Sequence, residues 1–476
     1  MAIADTVKSF FGISPKMPVY VPVTHQRKFT SAKNDRLTAD WILGGSNINE
    51  DIKNDLAKLR MRARDLVENN DYAKHFIRLL KVNVVGAEGI RLQNKAKDNN
   101  GRLDKMANDL IEAAWKEWCK KRNCTVSGRY TFREVLNQAL ETVARDGEFF
   151  LRKVRNFDNK YKFALQMIDP ALVDEKLNVQ LSNGNDIIMG IEIDSWGRPV
   201  AYHVKENEQY YSRTHRIPAN EITHLFVPMA VNAVRSVTWF HTAAKRMHMI
   251  DGYEEAELVA SRTAAAKMGF YTSNVESGAE YVGDDKTDDG DLISEVSPGV
   301  FEVLPQGMDF KEFDPDHPTS QFGDFMKGVL RGVSAGLGIS YSSLAQDLSD
   351  ANYSSMRTGL LQDRDVYKEL QTWLIEHVCE DVFESWLEMS LLSGAISLPF
   401  AKFDKFNSPS FRPRGWSWVD PQKDTKATVE GLKNKIRTRT EVAAEQGRDI
   451  EEIFQELEHE TQLAKKYNLD VDGGEK

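Results

Sequence analysis

The sequence predicts an α+β protein, mostly helical, in which a block of strands follows a run of helices instead of alternating with them. Three observations carry this. Apolar residues recur at three- and four-residue spacing across residues 51–145. Between 148 and 227 the period changes to two. Helical spacing then returns at Trp239 and dominates the remainder. Strands gathered between helical runs, not interleaved with them, define the α+β class.

Taken in order, residues 1–50 hold Pro15, Pro18, Pro22 and the Gly44-Gly45 pair and read as an N-terminal arm. From Asp51, the residues Leu56, Leu59, Ala63, Leu66, Tyr72, Phe76, Ile77 and Leu80 fall on helical spacing, broken once at Asn69-Asn70. That pattern predicts two amphipathic helices. Two more fit 102–120, closing on Trp115 and Trp118, and 132–145. EFFLRKVR and KFALQMI are strand-like, and GIEIDSWGRPVAYHV reads as a hairpin turning at 194–199. Trp239 to Met268 reads as one long helix whose stripe includes Phe240, Ala243, Met247, Ile250, Tyr253, Leu258 and Ala265. An acidic, Gly-rich segment follows to Pro318, with strand-like GVFEVL and MDFKEF.

A further helix uses Phe322, Phe325, Met326, Val329, Leu330, Val333 and Leu337 as its stripe. After a polar break, Asn352 to Ser393 reads as one helix of roughly 40 residues, about 60 Å long at 1.5 Å per residue. A helix of that length is expected to be kinked or shared with neighbouring subunits. Residues 398–420 return to Pro-bounded extended structure, and the tail from Thr425 is helical and charged.

The formal net charge of −10 hides a partition. Residues 1–130 carry an excess of about nine bases, whereas 271–318 carry thirteen Asp and Glu against two Lys. No stretch approaches the length of a membrane-spanning segment, and the first residues lack a signal-peptide pattern, which places the expected site of assembly in a cytoplasm. Three cysteines, Cys119, Cys124 and Cys379, have no metal-ligand spacing and make poor material for a disulfide framework. Neither a metal nor a cofactor is expected.

One string does resemble a catalytic motif. Residues 332–336 read GVSAG, the G-x-S-x-G of a serine-hydrolase nucleophile elbow. An elbow needs a strand before the serine, because the strained turn is what exposes the hydroxyl. Helical spacing precedes Ser334 instead, so the reading is a small residue on a helix and no enzyme. A phosphate-binding loop, a dinucleotide fingerprint and an H-E-x-x-H pair are all missing. Two alternatives are weighed: a serine hydrolase built on Ser334, and a non-enzymatic DNA-binding scaffold using the basic first 130 residues. In the second, Arg62, Arg64, Lys74, Arg78 and Lys81 read as a solvated helix face.

Four stretches in order carry a resemblance: RARDLVENNDYAKHFIRLLKVNVVGAEGIRLQ at 62–93, GRPVAYHV with RIPANEITHLF at 216–226, VRSVTWFHTAAKRMHMIDGYEEAELVASRTAAAKMGFY at 234–271, and DANYSSMRTGLLQDRDVY at 350–367. With the ending WSWVDPQKDTKATVEGLKNKIRTRTEVAAEQGRDIEEI, the chain resembles phage portal proteins of the lambda-like family. The resemblance implies a homo-dodecameric ring at one capsid vertex of the virion, assembled in the host cytoplasm. Double-stranded DNA would be packaged and ejected through its channel. The large terminase subunit, the head-tail joining proteins, and the major capsid and scaffold proteins would be its partners, with no membrane involved.

The implied portal fold has a wing at 51–237, a first stem helix at 238–268, an acidic clip at 269–318 and a second stem helix at 319–340. A tunnel loop at 341–354, the long helix at 352–393, a wing return at 394–423 and a helical crown at 424–476 complete it. No Lys or Arg lies between Arg331 and Arg357, which suits a loop that must touch DNA without gripping it. Ser342, Ser343, Gln346, Ser349, Asn352 and Ser354 are expected to make weak phosphate contacts, with Asp347 and Asp350 repelling. Lys327 and Arg331 are expected to line the channel, and Ala264, Ala265, Gly332, Ser334 and Gly336 to allow close packing between subunits.

Overall fold

An asparagine sets the first break in the chain. Asn70, in extended backbone, accepts the amide of Ala73 with its side chain, and so separates α1 (Ile48–Asn69) from α2 (Asp71–Leu80) at the place the spacing predicts. The computed structural model describes residues 47–207, 213–265, 269–273, 285–286, 292–293, 308–312, 322–349, 352–416, 421–446 and 448–467. The expected arm at 1–50 therefore lies almost wholly outside the described residues.

A single turn of π-helix, Lys81–Val85, extends α2 and leads to β1 (Arg91–Asn94). Next come α3 (Lys105–Trp118), capped by Asp104, and α4 (Phe132–Asp146), opened by a reciprocal Thr131–Glu134 capping box. α3 is shorter than expected by a few end residues because Asp104 fixes its start, whereas α4 has the expected start and runs one residue further. Gly147 terminates α4 at φ +95°, and a Cβ there would lie 2.4 Å from the carbonyl carbon of Val237. Only glycine fits that turn.

The strands follow as a block. β2 (Glu148–Arg155) pairs antiparallel with β3 (Phe163–Ile168). Five short strands, β4 (Val179–Gln180), β5 (Asp186–Ile188), β6 (Ile191–Ile193), β7 (Pro199–Lys205) and β8 (Thr214–Pro218), form an antiparallel meander. β9 (Ile222–Phe226) then returns to the other edge of β2. Trp115, Trp118, Phe132, Phe383 and Trp386 meet at the centre of the main core, with ring centroids 4.9 Å apart for Trp115–Trp118 and for Trp115–Trp386. Such pairs add to the burial of large apolar area.

A fully buried ion pair lies beside the sheets. Arg235 is fully enclosed, donates through Nε to Glu148, and donates to the carbonyls of Pro170, Val173 and Met189. Burial pushes the Glu148 carboxyl up, but the Arg235 charge and the His224 hydrogen bond outweigh it and hold it at about 2. The solvated face expected of Arg62, Arg64, Lys74, Arg78 and Lys81 holds at Arg62, Lys74 and Arg78, which are exposed, and is corrected at Arg64 and Lys81. Arg64 bridges Asp146 at 2.8 Å and Asp169 at 2.7 Å, and Lys81 pairs with Glu141, because this side of α1 and α2 packs on the end of α4.

The helix expected from Trp239 is also corrected. Thr238 caps a separate 3-10 turn, Trp239–Thr242, and α5 is Ala244–Ala265, with the expected end at Met268 lying outside the described residues. Its predicted stripe is buried at Phe240, Ala243, Met247 and Ile250, yet Leu258 is 67% exposed. The core ends there while the helix continues.

Beyond α5, β10 (Gly269–Ser273) pairs antiparallel with β13 (Met308–Glu312), and β11 (Asp285–Lys286) pairs with β12 (Leu292–Ile293). MDFKE is thus a strand, whereas GVFEVL lies outside the described residues. α6 (Phe322–Leu337), α7 (Tyr341–Ala345) and α8 (Tyr353–Leu374) follow. A second π-helical turn, Ile375–Cys379, joins α8 to α9 (Glu380–Leu392), so the long helix has the expected extent with one irregular turn inside it. β14 (Pro409–Arg412) pairs with β1, and α10 (Pro421–Lys433), α11 (Arg439–Glu445) and α12 (Ile450–Tyr467) close the chain. The class is α+β and mostly helical, as the periodicities predict.

Candidate functional site

The residues singled out in the sequence converge on α6, α7, α8 and the segment between the last two. Met326, Leu330, Val333 and Ser334 form the buried side of α6. Ser334 is 4% exposed and its hydroxyl donates to the carbonyl of Arg331 at 2.9 Å, one turn back in the same helix. No strand precedes it and no strained turn presents it, so the elbow geometry is missing at this serine.

The glycines expected to serve subunit packing sit against the chain's own α5 region. A Cβ on Gly332 would meet the Arg246 guanidinium at 2.8 Å, and one on Gly336 would meet Thr242 Oγ1 at 2.9 Å. Arg246 donates to the carbonyl of Gly332 at 3.0 Å. Tyr253 adds ring contacts to Phe322 and Phe325, at 5.6 and 5.0 Å between centroids. Ala264 and Ala265 are the last two residues of α5.

α6 stops at Gly338, φ +73°. The next residues differ from the free polar linker read in the sequence. Ser340 caps α7 by accepting the amide of Ser343, and Leu344 is buried. Asp363 of α8, 3% exposed, accepts the amide of Ser340 at 2.8 Å, its hydroxyl at 2.7 Å and the hydroxyl of Ser343 at 2.5 Å. His75 of α2 brings Nε2 within 3.0 Å of the Ser343 carbonyl. The first half of the linker is thus folded and bolted to two helices. Sequence reasoning missed Asp363 and His75 because each lies on a distant helix. An aspartate on the Tyr367 side of an otherwise exposed helix was the available signal.

Gln346 ends α7 in left-handed backbone, φ 53°. Asp347 then accepts the Ser349 amide at 3.0 Å, the Ser349 hydroxyl at 2.6 Å and the Tyr341 hydroxyl at 2.8 Å. The Ser349 hydroxyl and amide, then Tyr341, hold its carboxyl down at about 2. Lys327 reaches this turn, 3.9 Å from Asp347 and 3.4 Å from Ser349 Oγ, while Arg331 lies over the Tyr341 ring at 5.5 Å. Both cations expected to line a channel therefore turn toward the loop. Asn352 caps α8 through the Ser355 amide. Gln346, Ser349, Asn352 and Ser354 are exposed; Ser342 and Ser343 are half-buried within α7, and Asp350 lies outside the described residues. Among the described residues no cluster of three His, Cys, Asp or Glu has a metal-holding arrangement, and no helix is long and apolar enough to cross a membrane.

Two helices are thus joined through a bolted linker that holds no Lys or Arg. A family model described as "Phage portal protein, lambda family" matches residues 34–371. The probable portal protein of Halomonas phage phiHAP-1 is 37% identical over 474 residues, covering 96% of this chain and 90% of that protein. Portal protein B of Escherichia phage lambda is 21% identical over 454 residues, covering 84% and 82%. Among solved structures, the neck of an empty gene transfer agent (GTA) particle computed with C6 symmetry aligns at 12% identity and a TM-score of 0.43, covering 83% of this chain and 93% of that one. The class is a structural protein of the virion at the head–tail connection. Within it, the chain belongs to the lambda family of phage portal proteins.

Proposed function

We propose that the chain assembles as a closed dodecameric ring at one vertex of the capsid, with double-stranded DNA passing through its bore. Such a ring requires a heterologous interface, one face of each subunit matched to the opposite face of the next. In this reading α5 and α6 are the stem, 269–318 the clip, 51–237 with 394–423 the wing, and 424–476 the crown. The large terminase subunit docks on the clip during packaging, and head-tail joining proteins replace it afterwards. The major capsid and scaffold proteins contact the wing, and assembly takes place in the host cytoplasm.

The observation that carries the reading is the linker after α6. Its base, Ser340–Ala345, is held by Asp363 and His75, while its exposed part carries Gln346, Ser349, Asn352 and Ser354 beside Leu348 and holds no Lys or Arg. A lip of this kind offers exchangeable hydrogen bonds and releases few counterions, so DNA slides past it without being held. Native mass measurement and electron microscopy of the purified chain test the ring. Replacing Ser349 and Asn352 with Arg tests the lip: packaging slows while ring mass is unchanged. A chain that stays single under all assembly conditions refutes the ring, and normal packaging by the Arg variant refutes the lip.

A further inference from the structure

The aromatic centre of the main core encloses three polar side chains, Tyr161, Trp386 and Ser390, all of them buried. Among the described residues, nothing forms a hydrogen bond with the Tyr161 hydroxyl, Trp386 Nε1 or Ser390 Oγ. Buried tyrosine hydroxyls and indole N–H groups ordinarily find a partner, and each one left unpaired costs about tenfold in the folding equilibrium.

The three groups share one place. Trp386 and Ser390 stand one turn apart on α9, so their side chains leave the helix on the same side. The Tyr161 ring packs on Trp386 with centroids 6.0 Å apart. Neighbouring groups are satisfied, so the shortage is local. Trp118, whose ring lies 6.1 Å from that of Trp386, donates Nε1 to the carbonyl of Phe163 at 3.1 Å. Asn159 accepts the Tyr161 amide and donates to the carbonyls of Asn123 and Phe163, which fixes the turn that carries the phenol. A serine in a helix commonly turns its hydroxyl back to a carbonyl of the preceding turn, as Ser334 and Ser393 do. Ser390 does not.

We infer that one internal water molecule is held between Tyr161 Oη, Trp386 Nε1 and Ser390 Oγ, tying α9 to the turn between β2 and β3. A buried water makes about three hydrogen bonds to groups of this kind. Donors and acceptors match as well. The indole N–H can only donate and a hydroxyl can do either, so the water accepts from Trp386 and Tyr161 and donates to Ser390. An indole N–H cannot ligate a cation, and three neutral groups give a buried anion no charge to pair with. The site is independent of the ring and of DNA.

The experiment is denaturant unfolding of the full chain carrying Tyr161→Phe, Ser390→Ala or both, substitutions that each remove one oxygen and leave the apolar packing in place. Each single variant takes one bond from the water and is expected to lower the folding equilibrium constant about tenfold. The double variant is expected to lose no more than either single one, the coupling that a shared bridge produces. Single variants at or above the wild-type constant overturn the inference, because removing an unpaired polar group from a dry core is neutral or stabilising. Losses that multiply in the double variant overturn it too, since each hydroxyl then has a partner of its own. A wild-type structure at a resolution that shows ordered solvent reads the site directly. One water within hydrogen-bond distance of all three atoms is expected, and hydroxyls turned to backbone carbonyls with no water between them overturn the inference.

Discussion

Asp363→Ala removes the acceptor for three hydrogen bonds that fix the base of the lip. Each such bond to an ionised group is worth about 1.5–3 kcal/mol net. The sum is an upper bound, because Ser340 and Ser343 are half-buried and water replaces part of what is lost. The Ser343 amide also keeps its bond to Ser340 Oγ. About 3 kcal/mol of local stability remains at stake, on the order of a 150-fold rise in the opening equilibrium of Ser340–Ala345. Hydrogen exchange of the amides from Ser340 to Gln346 reads this directly, with the β2 and β3 amides as an internal control. Asp363→Asn, which keeps one carbonyl acceptor, is expected to lose less than half as much. Unchanged exchange at Ser343 and Leu344 in the Ala variant would refute the idea that α8 holds the lip.

Four more outcomes follow from the packing. The Glu148 carboxyl is held at about 2, against 4.5 without its partners, so its contribution is complete above about pH 4.5 and is lost as pH falls toward 2. Thermal melts in that window should drop steeply for the wild type and more gently for Glu148→Gln, and parallel curves would contradict the assignment. Arg235→Ala strands that buried carboxylate and should cost about 3–5 kcal/mol in denaturant unfolding. Gly147→Ala meets both a positive φ and the Val237 backbone at 2.4 Å, so soluble yield should collapse, while Gly197→Ala, whose Cβ meets open space, should be tolerated apart from a modest φ cost. Ser334 should not react with a fluorophosphonate probe; labelling there would reopen hydrolase chemistry.

Much of the fold was legible because it depends on local rules. The Asn69-Asn70 break, the EFFLRKVR strand and the α6 stripe are each set by spacing or a cap within a few residues. Failures came where distant chain segments decide. Leu258 continues a stripe that the core no longer covers, and Arg64 meets acids that lie far along the sequence. The site divides the same way. Its polar, cation-free composition could be read directly, but Ser340 and Ser343 looked free until Asp363, twenty residues on in the case of Ser343, was seen to claim them.

The irregular turn at Ile375–Cys379 has a consequence for how one rod can serve two environments. A π-helical turn slips in one extra residue, advancing everything after it by about 100° around the axis. Before it, Asp363, Tyr367, Gln371 and Leu374 are the buried positions; after it, Phe383 and Trp386 point into the aromatic centre. The insertion acts as a phase shifter, setting where around the axis the residues after it fall. Trimming a residue from that turn would restore an ideal ladder and aim Trp386 at the wrong side of the protein.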